Sequence, residues 1–211
     1  RLEHPGRGYE WNYFVGLEDI TERDMALWKY PSDEEIFKLG LRGLYLGNYV
    51  HWDANNHTKL MIELYDWELA DKPFDRTYRV MSNLDDIHEN GAHDYLKWIK
   101  FGYGRCSDHA SKDIRTGYMK REKAVELVKK YDHVISSDLH HWLKYVDMKE
   151  DQFWNIADTF RDPNVWKIEQ DKKWYKHTLW GGYEPFGEVS LSKSQIENYI
   201  ERQKKFRITE Q

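Results

Sequence analysis

The densest chemistry in the sequence lies in one run, Lys100-Phe101-Gly102-Tyr103-Gly104-Arg105-Cys106-Ser107-Asp108-His109-Ala110-Ser111, continuing to Arg115-Thr116-Gly117. Gly102 and Gly104 can end one helix and let the backbone turn sharply. Ser107 is then placed to cap the next helix, whose unpaired N–H groups form a ready anion site. Arg105, Asp108, Lys112 and Arg115 follow at spacings of three, four and three, so they share one helical face. Such a face can hold phosphate or carboxylate, with Asp108 orienting an arginine. The competing reading is a helix–turn–helix corner laced by salt bridges. The Gly-x-Gly here lacks a preceding strand and a third glycine, so it is not a dinucleotide fingerprint.

Two further groups of residues have chemistry to offer. His88, His93 and His109 lie near this corner together with Asp85, Asp86 and Asp94, and His with Asp can make a metal site. No pair has the i, i+4 spacing of a helical zinc motif, because His88 and His93 are five apart. The expectation is therefore no metal, and His140-His141 reads as a solvated helix face with one ring packed. Asp53 follows Tyr49 and Trp52 at the end of an apolar segment. If that segment is a strand, Asp53 lies where α/β proteins bind ligands, and otherwise it is a helix cap.

The elements that must position these residues read as mainly α with a few short β-strands, an α+β class. Ser32-Asp33-Glu34-Glu35 is a capping box opening a short helix that ends at Gly40. The run 44–50 reads as a strand and its exit loop. The next helix puts Leu60, Met61, Leu64 and Trp67 on its inner face. Residues 68–91 are irregular, with a possible strand at 76–81. Ala92, Tyr95, Leu96 and Ile99 fall at i, i+3, i+4, i+7, as do Leu139, Trp142, Leu143, Val146 and Phe153, Ile156, Ala157, Phe160. Ala124, Val125, Val128 and Tyr131 make a variant of the pattern, and each set predicts an amphipathic helix with one buried stripe. Asp162-Pro163 stops the helical run. Residues 165–176 read as a hairpin turning near Gln170-Asp171. Gly181–Gly187 is the best linker, after which Ser192–Gln195 is a capping box opening a polar helix through Phe206. The expected organisation is a main region, 1–180, and a C-terminal helical extension, 188–211.

Bulk properties narrow the classes. A chain of 211 residues with 40% apolar content can bury a core. The net charge of −5 gives no basic excess for gripping nucleic acid phosphates. The chain is aromatic-rich, with 10 Trp and 15 Tyr, which argues against disorder and suits stacking on sugar rings as well as core filling. A single cysteine excludes an intrachain disulfide and fits a reducing, cytoplasmic setting. No apolar stretch is long enough to span a membrane. The start, Arg1-Leu2-Glu3-His4-Pro5-Gly6, has no apolar signal-peptide region; without Met, it points to a fragment or a processed product. The sequence holds no Gly-x-x-x-x-Gly-Lys-Ser/Thr loop, no Ser-Gly-Gly-Lys-Asp-Ser loop and no Gly-x-Ser-x-Gly elbow.

Three stretches resemble the N-acetyl sugar amidotransferase family of bacterial surface-sugar pathways. They are Tyr30-Pro-Ser-Asp-Glu-Glu through Gly43-Leu-Tyr-Leu-Gly-Asn-Tyr-Val-His-Trp-Asp53; the run from Gly91 through Ala110, on to Asp113-Ile-Arg-Thr-Gly117 and Arg121-Glu122; and Glu150-Asp-Gln-Phe-Trp154 with Phe160-Arg-Asp-Pro163. The resemblance covers roughly residues 10–177 and implies the C-terminal part of an adenine-nucleotide α-hydrolase-like (PP-loop) enzyme. It implies an ATP-dependent conversion of an acetamido group to acetamidino, using ammonia from glutaminase and cyclase-like subunits. The sugars are of the O-antigen, lipopolysaccharide or flagellin kind, such as pseudaminic and legionaminic acid. ATP with Mg would bind through a Ser-Gly-Gly-Lys-Asp-Ser loop ahead of this region, so the chain alone is expected to bind neither. This sequence has Cys106-Ser107 where the family has a small residue followed by Thr. The residues expected to face anionic groups of sugar or nucleotide are Lys100, Gly102, Gly104, Arg105, Asp108 and Arg115, with Trp52, Asp53 and His93 for sugar contact, while Lys112 is expected to be solvated. The alternatives are a non-catalytic docking module for a glutaminase partner and a metal-dependent hydrolase built on His88, His93 and Asp94.

Overall fold

The computed structural model describes residues 10–82 and 88–208, and it divides into two units after Asp53. In the first unit, α1 (Trp11–Phe14) and α2 (Asp33–Leu39) are separated by a 3-10 turn at Ala26–Trp28, and a second 3-10 turn at Leu46–Asn48 follows α2. The expected capping box is present. Ser32 Oγ accepts from the Glu35 amide at 3.2 Å, and the Ser32 amide donates to Glu35 Oε2 at 2.8 Å. Gly40, with φ of 66°, closes α2 in the left-handed conformation that glycine adopts at least cost.

The strand expected at 44–50 is instead a 3-10 turn, in which the Asn48 amide donates to Tyr45 O at 3.0 Å and the Tyr49 amide to Leu46 O at 2.9 Å. A strand is stable only beside a partner, and no partner pairs with this run among the described residues. Trp52 and Asp53 therefore do not follow a strand, and α3 begins directly after Asp53.

The second unit runs α3 (Ala54–Tyr65), α4 (Glu89–Phe101), α5 (Arg105–Arg115), α6 (Arg121–Tyr131), α7 (Asp138–Tyr145) and α8 (Glu150–Asp158). A three-stranded antiparallel sheet follows, of β1 (Lys167–Ile168), β2 (Lys173–His177) and β3 (Tyr183–Glu188), and then α9 (Lys193–Ile208). The class is mainly helical with a few short strands, as expected. The 165–176 hairpin is present, with Ile168 opposite Trp174. Tyr183–Glu188, expected within a linker, forms β3, because its backbone pairs with β2. The second capping box holds: the Ser192 amide donates to Gln195 Oε1 at 2.8 Å at the start of α9.

The periodic stripes fold as helices that share two cores. Ala92, Tyr95 and Ile99 of α4 pack with Leu139 and Leu143 of α7, Phe153 and Ala157 of α8, and Trp166, Trp174 and Tyr199. Cys106 and Ala110 of α5 pack with Ala124 and Val128 of α6. Ile156, within α8, and Phe160, beyond its end at Asp158 and ahead of the proline that was expected to stop it, lie outside the core, exposed. Asp158 is instead a buried polar centre. It accepts from Arg161 Nε, Trp174 Nε1 and the Ser190 amide, all at 2.8 Å, and Arg161 lies over the Trp166 and Trp174 rings at 4.2 and 4.8 Å.

Two further expectations fail in this unit. The face of α3 bearing Leu60, Met61, Leu64 and Trp67 is exposed, and α3 buries no residue. Residues 76–81 form no strand. Their side chains anchor the loop instead: Arg76 donates to the Asp132 and Val134 carbonyls, and Arg79 pairs with Asp113. A segment tied down by such charged anchors does not present the regular backbone ladder of a sheet.

Candidate functional site

The corner between α4 and α5 is built by two glycines and one aspartate. Gly102 closes α4 at φ 72°, and a Cβ there would sit 2.4 Å from Val165 Cγ1. A Cβ on Gly104 would meet Arg76 Nη2 at 2.8 Å and Asp132 Oδ1 at 3.0 Å. Both glycines are thus required by close packing. Gly104, rather than Ser107, is the N-cap of α5. The cap is supplied from a distance by Asp132, whose carboxylate accepts from the Gly104 amide at 2.8 Å, the Ser107 amide at 3.0 Å and the Ser107 hydroxyl at 2.6 Å. The anion that the N-terminus of this helix attracts is therefore the protein's own carboxylate.

On the outward side, the expected face resolves into pairs. Arg105 grips Asp94, with Nε 2.9 Å from Oδ2 and Nη2 2.6 Å from Oδ1. Asp94, buried on α4, orients Arg105 in the role expected of Asp108, which instead accepts from Lys97. Bidentate pairing holds an arginine plane fixed, and the hydrogen bond to Asp94 raises the Arg105 pKa. His93 Nδ1 lies 3.2 Å from Asp94 Oδ1.

His109, one residue after Asp108, sits at the centre of the group. Its Nδ1 is 2.7 Å from Thr77 Oγ1. Burial, with the charges of Arg79, Arg105, Lys112 and Lys97 around it, lowers its pKa to about 3. The ring is neutral at physiological pH. Behind it, Asp113 accepts from Arg79, Tyr78 and, at 3.0 Å, Asn55. Burial, then the bond to Asp113, pushes the Tyr78 hydroxyl well above its usual range. Cys106, fully buried, has its pKa raised to about 12 by burial, so it is a neutral thiol.

Of the residues singled out in the sequence, Arg105, Asp108 and His93 come together here, with Gly102 and Gly104 beneath them. Lys100 lies at the end of α4, 5.1 Å over the Phe101 ring, and Arg115 lies at the end of α5, donating to Ser111 at 2.6 Å. Trp52 and Asp53 belong to the first unit. Thr77, Arg79 and Asp132 were missed as partners, because only the packing of loop 76–81 and the end of α6 against α5 brings them near, and Lys97 and His109 because their pairing with Asp108 and Thr77 follows from how α4, α5 and that loop meet. His88 Nδ1 lies 3.1 Å from Asp138, and Asp85 and Asp86 lie outside the described residues. Among the described residues no three His, Cys, Asp or Glu side chains gather to hold a metal ion, and no helix is long and apolar enough to cross a membrane.

This arrangement can hold an anionic group. Arg105, fixed by Asp94, and Lys97, paired with Asp108, lie at the corner of a neutral imidazole that bonds to Thr77 without competing for charge, while Lys112 is exposed as expected. Residues 73–179, which contain the whole corner, match the protein-family model described as LPS biosynthesis protein WbpG-like, C-terminal domain. No curated protein matches the chain.

Proposed function

Because that match spans half of its length, the chain belongs to the WbpG-like C-terminal domain family of LPS biosynthesis proteins, and on that premise we propose that it is the C-terminal portion of an ATP-dependent N-acetyl sugar amidotransferase. The reaction converts an acetamido group to acetamidino. The acetamido oxygen attacks the α-phosphorus of ATP and pyrophosphate leaves. Ammonia, supplied by a glutaminase partner, then attacks the activated carbon and AMP leaves with the oxygen. ATP with Mg binds the PP loop of the complete enzyme, and the residues of this chain form the sugar- and phosphate-facing wall opposite it.

The single observation that carries this reading is the set of three ion-paired cations at the corner of His109: Arg105 held bidentately by Asp94, Lys97 by Asp108 and Arg79 by Asp113. Charge that develops on phosphate oxygens during adenylation is stabilised by fixed cations, and Arg105 is fixed by Asp94 before any ligand arrives. A neutral histidine donates or accepts there without adding a fourth charge.

The test uses the complete enzyme with an N-acetylated nucleotide sugar, MgATP and ammonium. Mass spectrometry is expected to find the acetamido oxygen replaced by NH, with AMP formed in equal amount. No mass change with ATP present, or a change that proceeds without ATP, contradicts the proposal.

A further inference from the structure

Lys97 and Trp98 are neighbours on α4 with different surroundings. Lys97 reaches Asp108 in the corner, whereas Trp98, 3% exposed, is the floor of an open cleft of about 480 Å³. The walls are Lys129, His133, Trp180, Glu184 and Phe186. Asp132 and His133 divide in the same way, since Asp132 caps α5 and His133 lines the cleft. The cleft is thus distinct from the cationic corner but shares its scaffold, and its volume lies within the rough 300–1,000 Å³ range of small-ligand sites.

The chemistry of the lining selects a class of ligand. Phe186 meets Trp98 edge-on, with centroids 5.3 Å apart and planes at 76°. His133 is tilted at 60° to Phe186. These rings offer no pair of parallel plates to sandwich a flat base. Lys176 lies over the Trp98 and Phe186 rings, so the face a ligand meets is that of the partly exposed Trp180, and a pyranose presents slightly positive axial C–H groups to such a face while its hydroxyls point outward around the edge. Trp180, partly exposed, donates from Nε1 to Glu184 Oε1 at 2.8 Å. That bond holds the indole and the carboxylate together and leaves Oε2 to accept from ligand hydroxyls. Lys129 Nζ, on an exposed side chain, lies over the Trp180 ring, 5.5 Å from its centroid. Underneath, the buried Lys176 lies 4.9 Å from the Trp98 ring and 5.4 Å from that of Phe186, and it donates to the His177 carbonyl at 2.8 Å. Lys176 holds the floor and does not face the cleft's ligand.

We propose that this cleft binds the ring of an amino sugar, stacked on Trp180, with Glu184 accepting from its hydroxyls and Lys129 facing an anionic substituent. The inference rests on the amidotransferase reading only in taking that sugar to be the one amidinated. The binding itself stands on the cleft.

The test is saturation-transfer NMR on the 211-residue chain, with N-acetylglucosamine 1-phosphate, its neutral methyl glycoside and UMP as probes. Saturation of the sugar ring protons is expected for the first two. Trp180→Ala should weaken binding about tenfold, which is about 1.4 kcal/mol. Lys129→Ala should weaken the phosphate but not the methyl glycoside. Glu184→Gln, which keeps the volume, should weaken both and carries the test should Trp180→Ala not fold. No transfer to either sugar at millimolar concentration, equal transfer in wild type and Glu184→Gln, or preferential saturation of the UMP base overturns the proposal. Amidine formation by the complete enzyme with an unchanged sugar KM in Trp180→Ala overturns it while leaving the amidotransferase reading intact. Sugar bound in the cleft without amidine formation overturns only the latter.

Discussion

Asp132 does at the residue scale what the sequence assigned to Ser107. It satisfies two backbone donors at the start of α5 and the Ser107 hydroxyl from a position twenty-five residues beyond that serine. Local pattern finds a serine near a helix start, but a carboxylate that arrives through the packing of α6 on α5 leaves no local mark. Asp132→Ala should strand these buried donors and lower stability by about 3 kcal/mol, read as a shifted urea midpoint with unchanged slope; a shift under about 0.5 kcal/mol contradicts this role. His109 makes a pH-dependent contribution whose sign is set by its lowered pKa. Between 6.5 and about 3 the unfolded chain binds a proton at this ring and the folded chain does not. Stability from His109 is therefore complete above the unfolded value and is lost as pH falls, by about 1 kcal/mol per unit. His109→Gln should flatten the stability profile between pH 6.5 and about pH 5 relative to wild type; parallel profiles would contradict the buried, neutral ring.

Helices with strong apolar periodicity were legible, and the runs that failed did so for identifiable reasons. The stripes of α4 and α6, and Leu139 and Leu143 of α7, bury as their spacing requires, because each faces another helix within the unit, whereas Val146, just past the end of α7, is exposed. The same spacing in α3 leads to an exposed face, since periodicity reports amphipathicity and not what covers it. The 44–50 and 76–81 runs have strand-like residues, but one lacks a pairing partner and the other is held by arginine anchors. Among described residues the sheet forms only at 167–188, where three short segments pair in order. The contrast between helices is measurable. Leu139→Ala, at a fully buried position, should cost about 3 kcal/mol. Leu60→Ala, at a position 50% exposed, should cost under about 1 kcal/mol. Equal losses in thermal or urea unfolding would show that α3 is packed.

Across the whole molecule, the corner combines two properties that the sequence could present only as alternatives. It is a salt-bridged helix–turn–helix junction, and it also gathers the paired cations Lys97, Arg105 and Arg79 at the corner of an imidazole. The residues were visible in one run, but their pairing was not, because Asp94 and Lys97 come from α4 and Thr77 and Arg79 from a loop far upstream. The central claim is that this corner stabilises phosphate charge in sugar amidination, and Arg105 carries most of it. Removing the guanidinium leaves the buried Asp94 with only His93 beside it, so a loss of stability is expected in either case and says nothing about function. The deciding measurement is kcat/KM for amidine formation by the complete enzyme carrying Arg105→Ala, compared with the parent at matched folded fraction. A loss of about a hundredfold, roughly 3 kcal/mol of transition-state stabilisation, is predicted; a rate within about threefold of the parent would show that the corner is scaffolding and contradict the account.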